Sequence, residues 1–164
     1  MRCPLIQLLS GDKPSSVGEV VGHLLAVQAQ DFRGAQLAIR ARTTALAASD
    51  VRRALEEREL VISWFNRGTL HLVRAEDYPW LHALTTPQLA TANATRLRQE
   101  GVSPAAASRG VAVVRRALAD GPQTRSALKA ALESADVPVA GQALVHVLFL
   151  ATLRGVCVRG PVVG

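Results

Sequence analysis

Residues 60–65 (LVISWF) and 69–73 (TLHLV) are two β-prone runs around Asn66-Arg67-Gly68, and a glycine-containing turn between such runs predicts a β-hairpin. The surrounding chain is patterned for helices, so the hairpin restricts the architecture. Helices followed by a hairpin is the layout of a winged helix. Alternation along 69–73 puts Thr69 and His71 on one face and Leu70 and Leu72 on the other. Arg67 sits at the turn, where wing tips commonly lie beside a nucleic-acid backbone, and is a candidate phosphate contact.

Upstream, Ser16 and Glu19 have capping-box spacing, and Val17, Val20, Val21, Leu24 and Leu25 form the apolar stripe of a first helix. It runs out at Gln28-Ala29-Gln30-Asp31. On a helix, residues i and i+2 point roughly 200° apart, whereas in extended chain they share a face. The two glutamines converge on one substrate only if the helix ends before them. Each offers a carbonyl acceptor and an NH2 donor, so the pair can hold a water without ionising. The same residues also read as solvated glutamines at a helix terminus. Asp31 reads as the cap of the next segment, residues 33–42, which is either helix or strand and leaves Arg40 and Arg42 unassigned. Ser49 or Asp50 is then expected to cap a short helix through Glu57.

After the hairpin, a helix is predicted over 76–83, and Thr86-Pro87 is expected to open another, with Thr86 as N-cap. Leu89, Ala92 and Leu97 supply its inner face, with Arg96 and Arg98 outward. Gly101-Val102-Ser103-Pro104 breaks the chain and is the expected boundary between units 1–101 and 102–164. The second unit repeats the plan. Helix 105–119 buries Val111, Val114 and Leu118; Gly121-Pro122-Gln123-Thr124 makes a turn and cap; helices 125–134 and 141–153 follow, the last ended by Gly155. Val156-Cys157-Val158 is expected to begin a strand. The fold class expected is therefore mainly α with small β-hairpins, as tandem winged-helix units of which the second is incomplete at its wing. With little room for a return strand before Gly164, the chain reads as a fragment or a truncated product.

Composition excludes several classes. At 49% hydrophobic and 20% charged residues the chain is globular rather than disordered. Cys3 and Cys157 are isolated, and His23, His71, His82 and His146 are scattered, so neither a disulfide framework nor a metal site is expected. Residues 4–9 are too short for a signal-peptide core, and no run approaches a membrane span, so a cytoplasmic protein without a membrane partner is expected. The net charge of +6 is uneven: residues 1–85 carry ten Arg/Lys against nine Asp/Glu, and 86–164 carry nine against four. A basic second half suits a phosphate backbone, although 17 Arg against two Lys also fits a GC-rich genome.

A sequence-reading transcription factor is disfavoured. Residues 50–59 hold four acids and three arginines, a poor complement to a phosphate-lined groove. Helix 141–153 is apolar nearly all round, so it is expected to be buried, with Gln142 and His146 its only polar i, i+4 pair. Arg125 and Lys129, also i, i+4, form the better DNA-contact face, or simply a solvated one.

Two stretches together are distinctive. Leu25-Ala26-Val27-Gln28-Ala29-Gln30-Asp31 resembles the LxxQxQD signature of the AlkZ/YcaQ-like winged-helix DNA glycosylases, and Trp64-Phe65-Asn66-Arg67-Gly68-Thr69-Leu70-His71-Leu72-Val73 resembles that family's RGTLHLV hairpin segment. Gln7-Leu8-Leu9-Ser10-Gly11 and Leu37-Ala38-Ile39-Arg40-Ala41-Arg42 fit the same N-terminal pattern. The resemblance extends over essentially the whole chain, more strongly before Asp77. It implies tandem winged helices with a β-rich C-terminal portion forming a concave DNA-binding surface; members are longer than this chain and carry a third winged helix. It also implies that Gln28 and Gln30 occupy the catalytic Gln-apolar-Gln positions of the branch associated with bulky alkylation adducts and interstrand crosslinks.

The implied activity is hydrolysis of the N-glycosidic bond of N7-alkylated purines or crosslinks in double-stranded DNA, by a monomer without a cofactor. N7-alkylation leaves the purine cationic, so it departs without prior protonation. What remains is to stabilise an oxocarbenium-like sugar and direct a water at its anomeric carbon. The carbonyl of Gln28 or Gln30 suits the first task and its partner the second. Thr69 and His71 contact phosphate, support the glutamines, or are simply the polar face of the hairpin. Trp64 and Trp80 read as core rather than as base-stacking residues. The alternatives to an enzyme are a non-enzymatic winged-helix DNA-binding or regulatory protein, or an inactive fragment.

Overall fold

A computed structural model describes residues 7–161. Its elements are α1 (Val17–Leu24), β1 (Val27–Gln28), α2 (Phe32–Arg40), α3 (Ala48–Glu56), β2 (Leu60–Phe65), β3 (Thr69–Arg74), α4 (Tyr78–Gln99), α5 (Pro104–Ala117), α6 (Arg125–Glu133) and α7 (Ala143–Leu153). The architecture is mainly helical with one small antiparallel sheet, in the order β1-β3-β2. Two compact units divide it: residues 7–81 with 159–161, and His82–Val158. The segment at Gly101–Pro104, expected as the boundary, joins α4 to α5 inside the second unit. Cys3 and the first half of the 4–9 run lie outside the described residues.

In the first unit, one face of the sheet packs on α1–α3. Val20, Val21, Ile39, Val51 and Leu72 are fully buried there, with Leu60, Ile62 and Leu70 of the hairpin around them. The capping box forms as its spacing predicts: Ser16 Oγ accepts the Glu19 amide at 3.1 Å and Glu19 accepts the Ser16 amide at 3.1 Å. Leu25 does not join the stripe. It is exposed, and its φ of 63° ends the helix. The 33–42 segment is helix rather than strand, α2 running from Phe32 to Arg40, with Asp31 as N-cap accepting the Arg33 amide at 3.0 Å. In α3 the N-cap is Ala47 rather than Ser49 or Asp50. Asp50 stands three residues inside and accepts the Ala47 amide at 2.7 Å, so its carboxylate satisfies a helix-end donor from within the first turn.

The hairpin forms at the expected residues, with Phe65 opposite Thr69 and Leu60 opposite Arg74. Its turn has φ of 49° at Asn66 and 81° at Gly68, conformations that asparagine and glycine tolerate.

In the second unit, α5, α6 and α7 close around Val114, Leu132 and Val147, all fully buried. Ser103 and Thr124 cap α5 and α6, accepting the Ala106 and Ala127 amides at 3.2 and 3.1 Å. Three expectations fail here. Thr86-Pro87 does not open a helix, because α4 runs through it unbroken. The Thr86 hydroxyl turns back to donate to the His82 carbonyl at 2.7 Å instead of accepting an amide ahead of it. Thr86, Leu89, Asn93 and Leu97 form a continuous buried stripe, and packing along it outweighs the missing proline N–H. Ala92 is exposed, and Asn93 takes the inner position assigned to it. Residues 156–158 are not a strand either: the Val156 amide closes on the Ala151 carbonyl at 2.9 Å. Arg159 exchanges two backbone bonds with Ile62, at 3.2 and 2.8 Å. Among the described residues, no helix is long and apolar enough to cross a membrane.

Candidate functional site

The left-handed Leu25 turns the chain from α1 into β1, and the glutamines are consequently extended. Val27 pairs with Leu72 and Gln28 with His71, and the Ala29 amide donates to the Leu70 carbonyl at 2.8 Å. Val27 and Ala29 are buried in the core while Gln28 and Gln30 are exposed. This alternation puts both amides on one side of the sheet, the side facing away from α1–α3.

On that side, register builds two rows across the three strands. Ser63, His71 and Gln28 stand opposite one another in one. Phe65 and Thr69 stand opposite in the next, and one further step of the β1 register brings Gln30 level with them. Each row runs from a fully buried residue on β2 to an exposed glutamine, Gln28 on β1 or Gln30 two residues beyond it. His71 and Thr69, both half-buried, occupy the middle.

The two glutamines are not equivalent. Gln30 Oε1 accepts the Leu70 amide at 3.2 Å, an orientation the N–H donor dictates, so the Gln30 NH2 group is directed elsewhere. The Gln28 side chain makes no hydrogen bond among the described residues and is free to present either end. His71 Nδ1 lies 3.0 Å from the Thr69 carbonyl, and since a carbonyl only accepts, Nδ1 carries the hydrogen. The imidazole also meets the Phe65 ring in a T-shaped contact, with a centroid distance of 6.3 Å and an angle of 66°. Phe65 also meets Tyr78 at a centroid distance of 6.0 Å and 67°.

The cations divide by what already holds them. Arg67 is exposed at the hairpin tip and makes no ion pair among the described residues. At the opposite end of the hairpin, Arg74 is held by Glu76 and Asp77, both at 2.6 Å. The hydrogen bond from Arg74 holds the Asp77 carboxyl below its ordinary range against the opposing effect of burial. Arg74, Glu19, Glu59 and Glu76 line a shallow depression there whose carboxylates repel phosphate. In the second unit, Arg125 is exposed without an ion pair among the described residues, whereas Lys129 lies 3.6 Å from Glu133. Arg42 is held by the Ala38 carbonyl at 2.7 Å, and Arg40 is exposed at the end of α2.

Trp64 packs against the first core as expected, but Trp80 is 45% exposed, its indole N–H donating to Asp77 at 3.1 Å. Burial pushes the Cys157 thiol up, which keeps it protonated and a poor nucleophile. No cluster of three metal-ligating side chains occurs among the described residues. Sequence reading passed over Ser63: an isolated serine in an apolar run gives no signal until the register is known.

A family model described as DNA glycosylase AlkZ-like matches residues 21–164. An interstrand DNA cross-link repair glycosylase of Streptomyces sahachiroi is 38% identical over 76 residues, which are 46% of this chain and 20% of that protein. The solved structure of the Streptomyces sahachiroi DNA glycosylase AlkZ is similar to it with a TM-score of 0.80 and 28% identity, covering 96% of this chain and 44% of that one. The chain thus spans less than half the length of the relatives it matches.

Proposed function

The chain belongs to the AlkZ-like DNA glycosylase family, and from that premise we propose that its Gln28–Gln30 face hydrolyses the N-glycosidic bond of N7-alkylated purines or crosslinks in duplex DNA. The observation that carries this reading is the shared outward face of two uncharged amides, one held by its oxygen and one free. The C1′–N9 bond breaks with its electron pair passing to the purine, which neutralises the charge of the alkylated ring. The sugar becomes oxocarbenium-like, and the negative end of the Gln28 amide dipole stabilises it. Gln30, its oxygen engaged with Leu70, presents N–H donors that hold the attacking water by its oxygen. Water bonds to C1′ and releases a proton to solvent.

Neutral amides are weak bases, which confines the reaction to good leaving groups and so to damaged bases. No step calls for a cofactor. Arg67 at the hairpin tip, with Thr69 behind it, fits a phosphate beside the glutamines, and Arg125 and Lys129 fit the backbone in the second unit. On this reading the units are tandem winged helices that grip backbone rather than read sequence.

The test is release of N7-alkylguanine from duplex DNA by the intact protein and by Gln28→Ala and Gln30→Ala variants. Both variants should lose release while keeping DNA affinity. Undiminished release removes the glutamines from the chemistry, and binding without release by the parent protein leaves a non-enzymatic DNA-binding protein.

A further inference from the structure

In the row of Ser63, His71 and Gln28, the reaction above uses neither the serine nor the histidine. Ser63 is completely buried, and its hydroxyl has no hydrogen-bond partner among the described residues. Its neighbours along β2 on the same face are Val61 and Phe65, which offer nothing polar. Directly across the ladder is His71. With Nδ1 donating to the Thr69 carbonyl, the neutral imidazole has a single acceptor, Nε2.

Both flanking members of the row, Gln28 and Ser63, can donate to that lone pair. The Gln28 amide is exposed and exchanges hydrogen bonds with water at little cost. The Ser63 hydroxyl is buried, and a buried donor without a partner is costly. Opposed side chains on neighbouring strands have Cβ atoms only about 5 Å apart, so the Ser63 hydroxyl and the His71 ring stand within side-chain reach of each other.

We propose that Ser63 is a positioning residue whose hydroxyl donates to His71 Nε2, fixing the ring between Phe65 and Gln28 and keeping the Gln28 amide turned to the DNA. An imidazole engaged at both nitrogens takes nothing from Gln28. Without the serine hydroxyl, Nε2 is open to the Gln28 N–H, and the amide is drawn in toward the sheet. The consequence for base release rests on the role assigned to Gln28 above; the Ser63–His71 bond does not.

The experiment uses the full chain and has two readouts. Nitrogen-15 spectra of the histidine ring report the tautomer and whether Nε2 accepts a hydrogen bond. The Nε2 signal should move in Ser63→Ala and return in Ser63→Thr, which restores the hydroxyl. Base release should fall about tenfold in Ser63→Ala, recover in Ser63→Thr, and fall no further when Ser63→Ala is added to His71→Ala. An Nε2 signal indifferent to the hydroxyl overturns the proposal, as does an equal loss of release in both His71 backgrounds. A moved signal with unchanged release, in a protein that Gln28→Ala inactivates, leaves a structural bond and removes the positioning role. If Gln28→Ala itself leaves release intact, the role of Gln28 fails instead, and the Nε2 signal alone decides the bond.

Discussion

The side-chain oxygen of Gln30 accepts the main-chain amide of Leu70 at 3.2 Å, tying two residues 40 positions apart. This bond makes two chemically identical side chains different. Gln30 is oriented by the sheet and offers donors, whereas Gln28 offers whichever end a substrate selects. In the reaction proposed above, this asymmetry gives the water to Gln30 and the sugar to Gln28 without any ionisable group.

Gln30→Glu separates the anchoring role from the chemical one. A carboxylate still accepts from Leu70 but has no N–H to offer. The thermal midpoint should stay within about 2 °C of the parent, since no core contact changes. Base release should fall by roughly a hundredfold, the usual cost of deleting one preorganised donor. A lowered midpoint with release intact would mean that Gln30 is only a clasp on β3.

The glutamine pair, the hairpin turn and the caps at Ser16, Asp31 and Thr124 were legible in sequence because each is signalled by residues within four positions of one another. Elements decided by distant packing were not. Pro87 argues for a helix break, yet the stripe from Thr86 to Leu97 carries α4 through it. Asn93 looks like a surface residue until its buried exchange with His146 is seen. The same limit applies to the site. That the glutamines share a face follows from where α1 ends, but their alignment with His71 and Ser63 depends on a two-residue strand finding its register on β3.

His146 supplies a pH prediction. Its Nδ1 meets Asn93 Oδ1 at 2.9 Å, and its carbonyl accepts from Asn93 Nδ2 at 3.1 Å, joining α7 to α4. Burial, assisted by Arg96 and opposed by Glu100, holds the ring below its ordinary value of 6.5. As pH falls through that value, the unfolded chain takes up its proton before the native state does. Stability is therefore unaffected by this group above 6.5 and declines as pH drops below it toward the lower native value. Urea midpoints should fall across that window in the parent and fall less in His146→Gln. Parallel curves for the two proteins would refute the assignment. The Asp77 contribution belongs to a different window, since its lowered carboxyl loses stabilisation only below the ordinary carboxylate range.

Gly110 lets α5 approach α7. A Cβ placed there would lie 2.9 Å from Val147 Cγ1 and 3.3 Å from Val137 Cγ1. Alanine gains up to about 1 kcal/mol of helix propensity, and overpacking costs about 1–3 kcal/mol. Gly110→Ala should therefore destabilise by roughly 1–2 kcal/mol at most sites of this kind, read as a lower urea midpoint. Adding Val147→Ala removes the obstructing methyl, and the pair should be less destabilised than the sum of the two single changes. Strict additivity would show that the glycine is not there for close approach.

Arg67 and Arg74 lie at opposite ends of the same hairpin, and only Arg67 lacks a carboxylate partner among the described residues. A cation already neutralised within the protein releases no counterions when DNA arrives. Arg67→Ala should therefore weaken duplex binding uniformly across sequences and reduce the slope of log affinity against log salt by about one. Arg74→Ala should leave that slope unchanged and instead lower stability, because it strands Asp77 without its hydrogen-bond donor. Fluorescence titrations at several salt concentrations, paired with denaturation curves, read both outcomes. A slope that responds to Arg74 and not to Arg67 would put the DNA at the acidic end of the hairpin, away from the glutamines.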